Sequence, residues 1–348
     1  MSAMERAACI GTEHCRERDD AVLATAQSGQ LEFGTRSANM VKIAIVTGAS
    51  RGLGKGCASV LANEEGYTVY ATGRTTADLD KLTEECAKVG NGKIVPCTLD
   101  QKDDEAVKAF VAKVKAEAGK VDLLVNNAYQ GLEAQKPFFG KRFYERPIAE
   151  FDGHMNVGVR SSYVMASLVA PMMVEAKQGL IVQMSSTGGA WYVFSTPYSV
   201  AHAAMDRLSA DMAVELKGLG VHAVTLWPLS CVTEKAAFPD GESATFVGRC
   251  LAALVKAPAQ DLQKVNGKVV ITTELAEKYG VVDTSGAIPV GMFTGPEFAK
   301  AVRGYSGAKP LAFYSVDADI ATHAVGGDWS ATNSEGAAAW FPGHDGRE

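Results

Sequence analysis

The chain has 348 residues, 47% hydrophobic and 21% charged, the proportions of a globular protein. Its formal net charge of −6 argues against nucleic acid or an anionic membrane as the main partner. No apolar run approaches the ~18 residues that a membrane span needs. The seven cysteines include no CxxC pair and the six histidines no HxxxH or HExxH spacing; this disfavours a disulfide framework or metal site and points to a reducing, cytoplasmic setting.

Residues 1–39 mix acids and bases in CIGTEHCRERDD (9–20) and are then polar and rich in Gly, Ser and Thr. They fit neither a secretory signal nor a mitochondrial presequence and read as a disordered extension, with Met40 just before the first strand. From Val41 strands and helices alternate. VKIAIVT (41–47) is a buried strand by its short β-branched run, followed by a helix over 53–63. YTVYAT (67–72) is a strand, 77–88 a helix and KIVPCT (93–98) a strand. Over 103–118 helical spacing sets Val107, Phe110, Val111 and Val114 on one face. VDLLVNN (121–127) is a strand, 151–176 one long helix, 180–184 a strand and 197–217 a helix. VHAVTLW (221–227), a helix in 244–256 and KVVITT (268–273) complete the pattern.

Seven strands separated by helices require an α/β fold: a Rossmann-type doubly wound parallel seven-stranded sheet with helices on both faces. One domain spans 40–288. Residues 289–348 read as an irregular tail: a lid, a dimer arm or partly disordered.

TGASRGLG (47–54) lies at the first strand–helix turn. Gly48, Gly52 and Gly54 let the backbone turn tightly and approach a pyrophosphate, with Ser50, Arg51 and Leu53 between them, and the helix N-terminus presents N–H groups to that anion. The second strand ends in ATGRTT, with Arg74 where an NAD site usually carries an acid. Arg51 and Arg74 converging on a ribose 2′-phosphate favour NADP(H).

These features, with Asp100 after the third strand, NNAY (126–129), HMNVG (154–158), IVQMSS (181–186), Tyr198 and WP…T (227–233), resemble the short-chain dehydrogenase/reductase family over about 41–275. The details GRT, NNAY, QGLIVQMSS, LWP and LAEKYG point to one subgroup of it. The resemblance implies roles: Asp100 at the adenine end, Asn126 on the ribose side, Val232 and Thr233 at the nicotinamide carboxamide. It also implies Ser186 as the residue that polarises a carbonyl, Ser185 being the fallback, Tyr198 as proton donor and Asn156 as holder of a relay water. Homodimers or homotetramers are common in the family, and the same is expected here.

The family's YxxxK becomes YSVAH, so His202 stands where Lys binds the ribose and lowers the Tyr pKa. Its ordinary pKa near ~6.5 leaves it largely neutral at pH 7. Pro228-Leu229 replaces the usual Pro-Gly. Three readings of His202 stand: a substituted catalytic residue, a relic in a chain that binds the dinucleotide but reduces little, or an artefact of sequencing. The first gives an oxidoreductase acting on a small apolar carbonyl or alcohol; the second gives a sensor or scaffold. Phe138, Phe139, Trp191, Tyr192, Phe194 and Phe238 either line the substrate side or pack a lid. Lys136, Lys141, Arg142 and Arg146 form either a charged rim or a solvated face.

Overall fold

The computed structural model describes residues 41–308 apart from 235–237, 239 and 292; the expected extension at 1–39 and the tail beyond 308 lie outside the described residues. The first half alternates β1 (Ile43–Val46), α1 (Gly52–Asn63), β2 (Thr68–Gly73), α2 (Thr76–Ala87), β3 (Lys93–Thr98), α3 (Asp104–Ala118) and β4 (Leu123–Asn126). Short α4 (Gly131–Gln135), α5 (Ile148–His154) and α6 (Ser161–Glu175) follow, then β5 (Gly179–Met184), α7 (Thr196–Glu215) and β6 (Val221–Trp227). A two-stranded ribbon of β7 (Cys231–Val232) and β8 (Glu242–Ser243) precedes α8 (Ala244–Lys256), α9 (Ala259–Val265), β9 (Val269–Ile271), α10 (Thr272–Tyr279) and α11 (Pro296–Ala308).

The seven-stranded sheet has the order β3-β2-β1-β4-β5-β6-β9, and every pairing is parallel. Strand order reverses beside β1, which pairs with both β2 and β4. In such sheets a crevice opens outside the carboxyl ends of the strands at that reversal.

Side-chain alternation builds a core on each face. In β1, Ala44 and Val46 join one cluster with Leu61, Leu79 and Phe246. Ile43 and Ile45 join the other, with Val114, Met165 and Met173. A smaller third cluster sets Ala299 and Val302 of α11 against Trp227 and Ile271.

Three elements depart from expectation. The long helix expected over 151–176 is broken: α5 and α6 are joined by a wide-turn segment, Met155–Arg160, with non-helical backbone at Val157 and Gly158. The Val157 carbonyl accepts from Gln130 N at 3.0 Å and Gly158 N donates to Ser161 Oγ at 3.1 Å, so both backbone groups leave the helical ladder and find partners outside it. The last strand stops at Ile271, where the Glu274 carboxylate accepts from Ile271 N at 3.4 Å and starts α10 as a cap. Within the tail read as irregular, α11 forms because tertiary burial of Ala299 and Val302 stabilises it, reinforced by Arg303 Nε on Glu274 at 2.7 Å.

The stretch Ile148–Glu175 is long and apolar enough to cross a membrane by length and composition, unlike the expectation that no run comes close. Its apolar residues have a place in the core: Met165, Val169 and Met173 are fully buried there.

Candidate active site

The glycine loop leaves β1 at Thr47. Gly48 and Gly52 have φ of 66° and 56°, the left-handed region that glycine tolerates. At Gly54 a Cβ would come within 2.3 Å of the Gly48 carbonyl and 2.4 Å of Asn127 Nδ2, so it underlies the loop rather than lining the cleft. Asn127 ties the loop to β4: its Nδ2 donates to the Thr47 and Gly48 carbonyls at 2.9 and 3.2 Å, and its N–H to Thr47 Oγ1 at 2.9 Å. Gly48, Ser50, Arg51, Gly52 and Leu53 line one end of the cleft with Arg74, Asp100 and Thr233.

Glu234 Oε2 accepts from Gly52 N at 2.9 Å, at the N-terminus of α1. A carboxylate thus sits where helix N–H groups and dipole favour negative charge. This stand-in anion and the two cleft-lining arginines fit a phosphate-bearing dinucleotide.

The chemical end lies on α7. Ser195 caps it, accepting from Tyr198 N at 3.2 Å, and Pro197 pre-sets the first turn. Tyr198, His202 and Asp206 then follow at successive turns of one face. The Tyr198 hydroxyl lies 2.8 Å from Ser186 Oγ, which also accepts from Gly188 N at 3.1 Å. Ser186, not Ser185, therefore partners the phenol. Ser185 turns the other way: its Oγ lies 3.2 Å from His202 Nδ1 and 3.3 Å from the His202 carbonyl, and it also hydrogen-bonds Asp206. The Ser185 hydroxyl thus faces both the ring and the carbonyl of His202. His202 Nε2 is buried and without a hydrogen-bond partner among the described residues.

Burial sets the titrations. It pushes the Tyr198 phenol up to about 12, against the opposing pull of the Ser186 hydrogen bond. It pushes His202 down to about 3, with His154 adding to the effect. It lifts Asp206 to about 7, although Trp227 Nε1 donates to it at 3.0 Å. His202 is thus neutral at pH 7.

A second polar group adjoins this one. The Tyr129 hydroxyl is hydrogen-bonded to His154 Nδ1. His154 Nε2 lies 3.8 Å from Glu150 Oε1, which accepts from Arg146 Nη1 at 2.6 Å. The side chains of Arg146 and Glu150 are 3% and 0% exposed.

Several expected residues lie elsewhere. Asn126 points to the other face of β4, where its Nδ2 donates to the Ser162 carbonyl at 3.2 Å; its neighbour Asn127 lines the cleft instead. Asn156 is exposed, because the break at Val157–Gly158 turns it outward, and Val157 lines the cleft in its place. Val232 is 45% exposed and only Thr233 reaches the cleft. Of the six aromatics, Phe194 and Phe238 line the cleft, while Trp191 packs on Phe298 and Tyr192 is exposed. Phe139 meets Phe194 edge to face, at 5.8 Å between centroids. Lys141 and Arg142 are exposed, but Arg146 is a buried ion-pair partner. Leu229 is buried and lines the cleft.

Sequence reasoning missed Asn127, Tyr129, His154 and Asp206. Only Asp206 carried a usable signal, four residues after His202 on the same helix face.

The short chain dehydrogenase family model matches residues 42–238. Dehydrogenase/reductase SDR family member 1 of Homo sapiens is 37% identical over 266 residues, covering 70% of this chain and 84% of the relative. The Mus musculus protein of that name is 38% identical over the same shares. These relatives typify the subgroup to which GRT, NNAY and LWP pointed. A metagenomic short-chain oxidoreductase solved in complex with NADP superposes with a TM-score of 0.56 at 27% identity, covering 66% of this chain and 95% of that one. An alcohol dehydrogenase from Thermococcus sibiricus complexed with 5-hydroxy-NADP shares the fold, with a TM-score of 0.57 at 23% identity over 67% of this chain and 96% of that one. The chain belongs to the short-chain dehydrogenase/reductase family.

Proposed function

We propose that the protein is an NADP(H)-dependent oxidoreductase that reduces a small apolar carbonyl compound, or oxidises the matching alcohol, with Tyr198 as acid and base. The observation that carries this reading is the 2.8 Å contact between Ser186 Oγ and the Tyr198 hydroxyl in a cleft continuous with the glycine loop. The NADP complexes of the two solved structures support the choice of cofactor.

Bound NADPH supplies the hydride. The glycine loop and the α1 N-terminus hold the pyrophosphate, and Arg51 and Arg74 hold the 2′-phosphate. Asp100 would serve the adenine end, Thr233 the nicotinamide, and His202 Nε2 would hydrogen-bond a ribose hydroxyl. Ser186 donates a hydrogen bond to the carbonyl oxygen, stabilising charge that develops in the transition state. Tyr198 gives its proton to that oxygen. A phenol with so high a pKa still protonates an alkoxide, a stronger base, but deprotonates an alcohol poorly at neutral pH; this favours reduction. Met184, Leu132, Leu229, Phe194 and Phe238 make the cleft apolar, which suits a hydrophobic substituent.

A second reading, a dinucleotide-binding sensor or scaffold with little turnover, is favoured by the neutrality of His202 beside Tyr198. NADPH oxidation over a panel of aldehydes and ketones separates the two. The enzyme reading expects a measurable rate that Tyr198→Phe lowers by on the order of 10²–10⁴-fold. A parent that binds NADPH and oxidises it with no carbonyl sinks the enzyme reading. A cytoplasmic homodimer or homotetramer completes the proposal; the exposed apolar Phe151, Tyr163, Val200 and Val214 on α5, α6 and α7 support self-association.

A further inference from the structure

Tyr129 and His154 have no part in the chemistry above, yet the fold makes room for them. The Tyr129 ring stands edge-on to Tyr198, 6.3 Å between centroids at 82°, and tilts over His202 at 5.2 Å. It lines the cleft beside Leu132 and Phe194. Its hydroxyl reaches His154 Nδ1, and His154 is fully buried. Burial, with Arg146 nearby, pushes His154 down to about 4, so at neutral pH the imidazole is uncharged and serves as a fixed hydrogen-bond partner.

Two glycines clear the space. A Cβ at Gly131 would lie 2.1 Å from His154 Nδ1 and 2.6 Å from Tyr129 Cζ. A Cβ at Gly158, at the break between α5 and α6, would lie 2.9 Å from Tyr129 Cδ2. Glu150, one turn earlier on α5, lies 3.8 Å from His154 Nε2 and holds Arg146 with its carboxylate. Swinging the phenol out of this position would leave His154 Nδ1 buried without its hydrogen-bond partner. Most aromatic walls of a cleft can change rotamer to admit a larger ligand; this one is anchored at its far end.

We propose that Tyr129, anchored by His154, is a specificity-determining wall of the carbonyl pocket, admitting slim substituents next to Tyr198 and rejecting branched or aryl ones on that side. The inference rests on the reading that Tyr198 and Ser186 hold the carbonyl oxygen. Rigid apolar walls discriminate by about 10–200-fold for a single methylene, so removing one should show in selectivity before it shows in overall rate.

The test uses the full chain loaded with NADPH. Two quantities are compared between propanal and isobutyrophenone, and between propionamide and benzamide as unreactive carbonyls: kcat/KM for the first pair and affinity by calorimetry for the second. Tyr129→Ala is expected to raise the large-to-small ratio at least tenfold in both. Tyr129→Phe and His154→Leu, which keep a ring or its seat but cut the anchor, are expected to fall between it and the parent. A merely structural role would depress both members of each pair together. An unchanged ratio in Tyr129→Ala, with parent affinity for NADPH, overturns the proposal; if that variant does not fold, Tyr129→Leu is held to the same criterion. A shifted amide ratio in a chain that turns over no carbonyl keeps the wall and sinks the oxidoreductase reading. Turnover with neither ratio shifted does the reverse.

Discussion

Tyr198 and His202 stand one helical turn apart on α7 with their ring centroids 4.1 Å apart. The same burial drives the phenol up to about 12 and the imidazole down to about 3. Burial therefore holds each group in its neutral form. The pair can share hydrogen bonds with a ligand, but His202 cannot lower the Tyr198 pKa as a cation would.

His202→Lys tests this directly. An ammonium in that position should lower the Tyr198 pKa by roughly 1–3 units, the usual effect of an adjacent opposite charge on an ionised form. The alkaline rise of alcohol oxidation should shift to lower pH by that amount, and the rate at pH 7 should grow by tenfold or more. The measurement is the pH profile of kcat in parent and variant. A profile that does not move would show that residue 202 is uncoupled from Tyr198.

The cofactor end yields a second prediction, because two opposing charges meet there. Arg74→Ala removes a charge-assisted contact worth about 1.5–3 kcal/mol, so NADPH affinity should drop by about 10–150-fold while NADH affinity holds. Glu234→Gln acts oppositely. The Glu234 carboxylate occupies Gly52 N, and a charge at a helix N-terminus is worth about 0.3–1 kcal/mol. Neutralising it should tighten NADPH binding about two- to fivefold, with the gain fading at high salt. Titration calorimetry at two ionic strengths reads both effects; equal losses of NADPH and NADH affinity in Arg74→Ala would remove the basis for an NADP preference.

The sequence made the sheet legible because inner strands such as β1, β4 and β5, buried on both faces, read as short apolar runs, and seven strands alternate with helices. The positions of the glycine loop at the first strand–helix turn and of Tyr198 in the first turn of α7 were legible because local spacing sets them. Asn126 and Asn156 failed for a different reason. One residue of strand register reverses a side chain's face, so Asn127 and not Asn126 reaches the cleft. The break at Val157–Gly158, invisible in helical periodicity, turns Asn156 to solvent. Tyr129 and His154 are 25 residues apart and meet only because Gly131 and Gly158 leave room, a tertiary fact that no local pattern announces.

Acid should destabilise the protein earlier than its carboxylates alone would dictate. His154 and His202 have folded pKa values near 4 and 3, below the unfolded value of about 6.5. The folded state therefore binds fewer protons than the unfolded one. Stability from these groups is complete above about pH 6.5 and is lost as pH falls through the window down to 3–4. Each proton adds a slope of about 1.36 kcal/mol per pH unit at most. Urea midpoints measured from pH 7 to pH 5 should fall, and His202→Gln should reduce the slope by up to one proton. An unchanged slope would mean that His202 is protonated in the folded chain.

Glu242 gives the alkaline counterpart. Its side chain is fully buried beside the segment that carries Leu229, accepts from Thr272 Oγ1 at 2.7 and 2.8 Å and from Thr294 Oγ1 at 3.4 Å, and is raised by burial to about 8. Because the folded pKa lies above the unfolded value, the folded state keeps a proton that the unfolded chain has released. The resulting stability is full below about pH 4.5, declines as pH rises, and is lost once pH passes about 8. Glu242→Gln keeps the size and an acceptor oxygen without the charge. Its melting temperature should match the parent near pH 4.5 and exceed it at pH 9, the gap opening between about pH 4.5 and pH 8. The Leu229 segment borders the cleft, so NADPH affinity should follow the same course, holding at pH 9 in the variant while it declines in the parent. Parallel melting curves for the two proteins from pH 6 to pH 9 would show that the carboxyl is already ionised in the fold, with Thr272 and Thr294 sufficient to hold its charge.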